Sequence, residues 1–210
     1  TYANDDAMRL YHQALAAFAN EPEVSPEQLA LMERLGDLCG PAGRRDAALT
    51  HYQRALAIHR TKDDRIAVAR ILRKTGRLHL DAGRRDQAET HCAAAEALIA
   101  TIDAPIEHAH LLQERGHLAF RMGDQAAAAE WATQALQRLQ TLPVDGTTEA
   151  GREAARAMAE ALNTKGAALA RLGRRRDAVQ EVERSLSVAE KADLQSAACR
   201  AYSNLGVLYT

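Results

Sequence analysis

Arg70, Arg73 and Arg77 follow one another at spacings of three and four residues, with no carboxylate between them. On a helix that spacing puts three guanidinium groups on one face, where like charges repel by roughly a few tenths of a kcal/mol per pair. An arginine fork binds a carboxylate at two points, so one reading is a site for an acidic or carboxylate-bearing peptide. The other is a solvated face of an arginine-rich protein, with salt bridges to Asp63, Asp64 or Asp81. Composition lends weight to the second reading, because lysine occurs only at Lys62, Lys74, Lys165 and Lys191 and arginine carries nearly all the positive charge.

Other chemistry is poorly served. His108 and His110 lie two apart and so face different sides of a helix, and His91 and Cys92 are adjacent; neither pair has ligand spacing for one metal. The histidines read as surface or groove polar groups. No glycine-rich phosphate loop and no nucleophile motif is present, so no catalytic residue, no metal and no cofactor is expected. Cys39, Cys92 and Cys199 fall at apolar-face positions without CxxC spacing, which argues against disulfides and zinc and for a reduced, cytoplasmic setting. A net charge of −1 gives no global attraction to nucleic acid or acidic membranes. Phe120 and Trp131 are too isolated to make a stacking platform for nucleic acid, and Trp131 reads as core, filling a void between alanine-rich neighbours. No run of eighteen apolar residues offers a membrane span.

Any site must be positioned by elements, and the glycines disclose them. They recur at 36, 76, 116, 166 and 206, and the first four are followed seven residues later by Gly43, Gly83, Gly123 and Gly173. After three of these later glycines comes an Arg/Asp-rich turn: Arg44-Arg45-Asp46, Arg84-Arg85-Asp86 and Arg174-Arg175-Arg176-Asp177. A glycine fits where helices cross closely and where a helix end needs positive φ. Beyond each turn, apolar residues fall three or four apart (Ala48, Tyr52, Ala55, Leu56; Ala178, Val182, Leu186), which marks one buried helical face. The unit is a helix-turn-helix hairpin, and spacings of forty, forty, fifty and forty residues describe an array whose units bury their apolar faces by stacking. An apolar content of 47% fills such a core, while 4% aromatic residues require close packing through Ala and Leu.

Ser25-Pro26-Glu27-Gln28 has the form of a capping box with proline at the first helical position. Asp63 or Asp64, Asp103 and Asp193 are expected to begin later first helices. Residues 142–148 read as the one clear loop; they take up part of the excess in the fourth repeat, and the following helix lengthens through Arg152 and Arg156. About ten helices result. Asp5 to Leu15 superposes on Asp46 to Leu56, so it reads as a second helix without its first, and Tyr202 to Tyr209 as a first helix without its second. The expected division is one solenoid over 1–210, cut from a longer protein, with half repeats at 1–20 and 193–210 and full repeats at 26–60, 63–101, 104–140 and 148–191.

These residues resemble the tetratricopeptide repeat, which asks for a bulky residue, Leu-Gly, an aromatic three positions on, then Ala, an aromatic and Ala. Met32, Leu35-Gly36, Cys39, Ala48, Tyr52 and Ala55 fill that pattern in the first repeat, and Tyr202, Leu205-Gly206 and Tyr209 in the last. Thr75, Cys92, Arg115, Lys165 and Val182 depart from it. The resemblance implies an all-α, right-handed α-solenoid of antiparallel helix hairpins, and its period of about forty is similar to a long-repeat variety found in large bacterial signalling proteins. It further implies a non-enzymatic scaffold that holds a peptide, a protein or another domain of its own chain along a concave groove lined by first helices. Groove positions carried over from the family include Arg70, Arg73, Arg77, His110, Gln113, His117, Asn163, Arg200 and Ser203, with Arg121 and Arg171 at the rim. Glu33 and Asp37 take the places of a chaperone-type lysine and asparagine clamp, so that activity is not expected; they make the groove acidic at its start and basic in its middle. The alternative function is a structural or oligomerisation segment with no peptide ligand. Uncovered apolar faces around Leu10, Leu15, Leu205 and Leu208 predict end-to-end self-association.

Overall fold

Glycine and alanine set the spacing of every hairpin. In a computed structural model, which describes residues 2–18 and 23–210, the chain forms ten α-helices and, among the described residues, no strand. They are α1 (Tyr2–Ala17), α2 (Pro26–Cys39), α3 (Arg45–Thr61), α4 (Arg65–Asp81), α5 (Arg85–Ile99), α6 (Pro105–Met122), α7 (Gln125–Leu139), α8 (Glu149–Arg171), α9 (Arg175–Lys191) and α10 (Gln195–Tyr209). Two compact units result, Thr1–Thr101 with α1 to α5 and Ile102–Thr210 with α6 to α10. The expected hairpins form, α2 with α3, α4 with α5, α6 with α7 and α8 with α9, and α7 with α8 and α9 with α10 pack between hairpins.

Within each hairpin the first-ladder glycine lets the two helices meet. A Cβ at Gly116 would lie 3.2 Å from the carbonyl oxygen of Ala128, and one at Gly166 would lie 3.1 Å from that of Ala178. The second-ladder glycines close the hairpin turns in the left-handed region, with φ from +75° at Gly83 to +87° at Gly123. Asp63 and Asp193 do the same between hairpins, at φ +53° and +52°. Their short polar side chains make them the non-glycine residues best suited to that conformation.

Ser25 caps α2 with the full reciprocal box, and Asp64 caps α4 by accepting the Ala67 amide at 3.0 Å. The expected cap at Asp103 is corrected: Ala104 precedes α6 and no side chain caps it. The expected cap at Asp193 is corrected too, because this residue is spent in the left-handed turn and Leu194 precedes α10 uncapped. The fourth-repeat excess goes where expected, into the 142–148 loop and the 23-residue α8, which carries Arg152 and Arg156 in its first turns.

The core of the first unit joins Met8, Leu35, Cys39, Tyr52, Ile71 and Leu78. The second unit packs on alanine: Ala109, Ala135, Ala154, Ala157 and Ala161 form one cluster with Leu139. Three expectations are revised. Trp131 is half-buried, and the fully buried place falls to Ala132 one residue on. Cys199 is exposed, unlike buried Cys39 and Cys92. Leu205 and Leu208 are buried against α9, and the large apolar residues exposed on α10 are Tyr202, Val207 and Tyr209.

Candidate functional site

In the first unit Arg70 and Lys74 of α4 meet acids from α2. Arg70 donates from Nε and Nη2 to the two carboxylate oxygens of Glu33 at 2.9 and 2.8 Å, the two-point geometry expected of an arginine fork. Lys74 adds bonds to Glu33 at 3.3 Å and Asp37 at 2.8 Å. Burial alone would raise Glu33; the Arg70 hydrogen bond and the Lys74 and Arg70 charges outweigh it and hold its carboxyl below the ordinary value. Tyr52 lies over Gly36 and donates its hydroxyl to Asp37 at 2.6 Å, and burial, then Asp37, pushes its phenol far up. Arg77 pairs with Asp81 at 3.3 Å. Arg73 stands half-buried between these on α4. The acidic start and basic middle expected of the groove are therefore one interdigitated network.

In the second unit the first-helix residues divide. His110 and Gln113 are 5% and 1% exposed, turned into the contact between α6 and α8. His110 lies 3.5 Å from the Glu153 carboxylate, and Gln113 reaches Thr164 at 3.5 Å. The His110 ring beside it, working against burial and helped by Arg156, lowers Glu153 to about 2. His117 is half-buried, 4.0 Å from Glu114. Arg121 and Arg171 are exposed at the last turns of α6 and α8, and exposed Ser203 donates its hydroxyl to the Cys199 carbonyl at 2.9 Å.

Asn163 and Arg200 come together at a cavity of about 300 Å³ between α8 and the start of α10. Arg152, Arg156, Glu160, Asp193 and the first-turn residues Gln195, Ser196 and Ala197 complete its charged and polar wall. Asn163 Oδ1 accepts from Asn204 Nδ2 at 3.0 Å, which ties the α8 wall of the cavity to α10. Arg152 donates to the Asp193 carbonyl at 3.1 Å, and Arg156 pairs with Glu153 at 3.3 Å. Arg200 is exposed and carries no ion pair among the described residues. Because α10 lacks a side-chain cap, its first backbone amides also point at this space with the positive end of the helix dipole. Arg152 and Arg156 were legible as an i, i+4 pair continued by Glu160 and Asn163, one stripe along α8; the sequence reading used them only to lengthen the helix.

Stacked helix hairpins define a helical-repeat fold, and known proteins share it. Residues 27–99 match the tetratricopeptide repeat family model. A search of curated proteins returns no significant match. Among solved structures, BtubC (BKLC) from P. vanneervenii matches with a TM-score of 0.64 at 20% identity, over 90% of this chain and 74% of that one. A putative kinesin light chain from Podosopora anserina, with nearly identical TPR-like repeats, matches at 0.57 and 16% identity, over 90% and 88%. Pseudomonas aeruginosa pilF matches at 0.51 and 17% identity, over 99% and 94%. Residues 27–99 thus match the tetratricopeptide repeat, and the chain as a whole has the helix-hairpin α-solenoid fold of these structures.

Proposed function

We propose that this chain is a protein-interaction scaffold that holds an acidic, carboxylate-bearing peptide segment against the face made by α8 and α10. The observation that carries this reading is the cavity beside Arg200. Arg152 and Arg156 are held by Asp193 and Glu153, whereas Arg200 stands exposed on the wall with no ion pair among the described residues, beside the uncapped first turn of α10. An exposed guanidinium beside the positive end of a helix takes a carboxylate as its complementary ligand. The first-unit face with Arg70, Arg73 and Arg77 supplies a second contact strip of mixed charge, supported by its position on a first helix.

In the same reading the chain is not an enzyme and works in the cytoplasm as a regulatory or sensor segment of a larger bacterial signalling protein, holding a partner protein or a further domain of its own chain. The long repeat period and the absence of CxxC spacing support this. No described helix is long and apolar enough to cross a membrane.

Selection of a random peptide library on the 210-residue chain tests the ligand class. Enriched peptides should carry Asp, Glu or a free C-terminal carboxylate. Arg200→Glu should weaken their binding about tenfold or more, equivalent to about 1.4 kcal/mol, and added salt should weaken it further. Enrichment without acidic character, or binding indifferent to Arg200→Glu, sinks the proposal.

A further inference from the structure

The hairpin tips share one turn but not one decoration. Immediately before the left-handed glycine, the first unit carries Ala42 and Ala82, and the second carries Met122 and Leu172. One place earlier the first unit has Pro41 and Asp81, and the second has Arg121 and Arg171. The glycines all hold φ between +75° and +87°, so the turn itself does not call for a large apolar neighbour. Met122 is nevertheless 55% exposed and Leu172 46% exposed. Among the described residues outside α1 and α10, the only other large apolar side chain more than a third exposed is Ile66, at 37%.

The Met122 and Leu172 tips lie on one edge of the second unit. Helix α6 packs on α8, and Gln113 of α6 reaches Thr164 of α8 at 3.5 Å, so the two helices run side by side in the register of the repeat. Met122 follows Gln113 by nine residues and Leu172 follows Thr164 by eight, which brings both to the same end. The charge there is one-sided. Across 121–126 and 171–177 five arginines stand against two aspartates, and both aspartates are occupied: Asp124 accepts the Ala127 amide at 2.9 Å, and Asp177 pairs with Arg174 at 2.6 Å. Arg121, Arg171, Arg175 and Arg176 are exposed and carry no ion pair among the described residues. No side chain caps α9, so the positive end of its dipole adds to the same edge.

We propose that this edge of the second unit docks on an anionic lipid surface, with Met122 and Leu172 seated at the boundary of headgroups and acyl chains and the four arginines answering the headgroup charge. Exposed apolar side chains ringed by basic ones are the pattern of a protein that lies on a membrane without spanning it. An acidic polypeptide is the poorer fit. The two apolar side chains sit on separate turns, among arginines that no contact holds in a fork, and mobile headgroups can gather around such points where a fixed carboxylate needs a formed site. The tips lie at the opposite end of α8 from Arg152 and Arg156, so the proposal does not rest on the peptide-binding cavity.

Flotation of the 210-residue chain with lipid vesicles tests this. The chain should rise with phosphatidylcholine vesicles containing about 30% phosphatidylserine and stay behind with phosphatidylcholine alone. Added salt should release it. Met122→Ser with Leu172→Ser, and separately Arg175→Glu with Arg176→Glu, should each weaken vesicle binding about tenfold or more. These positions are exposed, so circular dichroism and thermal unfolding of both variants should match the parent. Leu172→Trp reads a gain instead of a loss: it should bind tighter, and its emission should move to the blue on anionic vesicles by more than that of the parent with Trp131 alone. No binding, equal binding to both vesicle types, binding that survives the serine pair, or an unmoved Leu172→Trp emission overturns the proposal. Capture of polyglutamate in place of vesicles, the result expected of an acidic-protein surface, overturns it too.

Discussion

Replacing Gly166 by alanine would drive a methyl group against Val182 and to 3.1 Å from the Ala178 carbonyl, neither of which can withdraw inside a packed hairpin. A loss of about 1–3 kcal/mol follows from overpacking of this kind. Gly123→Ala meets no atom, yet its φ of +87° should cost about 1–2 kcal/mol through the backbone alone. Gly206→Ala meets nothing and is helical, so it should gain up to about 1 kcal/mol. Urea midpoints of the three variants check the order; equal effects would refute the separate duties assigned to these residues. Sequence alone fixes which glycines repeat, but it does not distinguish a crowded one from an open one. That takes the partner at the other end of a hairpin, such as Tyr52 over Gly36.

Pairs of helices carry the charge that responds to pH. Between α6 and α8, Glu153 has its carboxyl lowered to about 2 from 4.5. With a depressed folded value, its stabilisation is complete above the unfolded value and disappears as pH falls from about 4.5 towards 2. Because Glu153 is 43% exposed, screening reduces its worth to about 1 kcal/mol. Glu153→Gln should flatten that limb of a urea-midpoint curve against pH; an unchanged limb would refute it. In the first unit, burial first, then Arg84 at His79 and His79 at His91, depresses the imidazoles of the stacked pair, whose rings lie 5.1 Å apart. Burial, then His12 and Arg54, depresses His51 likewise. Here the unfolded chain binds the extra protons, so stability is full above 6.5 and falls as pH drops below it towards the depressed folded values. Amides of α3 to α5 should lose hydrogen-exchange protection, after correction for intrinsic rate, between about pH 7 and about pH 5. His79→Gln with His91→Gln should blunt the loss, and protection that rises on acidification would contradict the sign. At this scale the sequence was legible for helix existence and pairing, because period and glycine spacing are local signals. It was not legible for Arg70 with Glu33 or His110 with Glu153, whose partners lie 37 and 43 residues away, nor for the uncapped start of α10, where a turn consumes the aspartate that would have served as cap.

For the molecule as a whole, a net charge of −1 and a pI near 6.7 mean that little long-range repulsion opposes contact between copies. The two units also differ in what their basic residues already hold. Among the described residues Arg200 has no acid to leave, whereas Arg70 and Lys74 are engaged by Glu33 on the neighbouring helix. The α4 face is in effect a receptor with its ligand attached. An acidic chain arriving there trades one carboxylate for another, and the gain is the difference between two nearly equal bonds. Removing Glu33, rather than adding a further arginine, is the change that would turn this face from an internal clasp into an open binding surface.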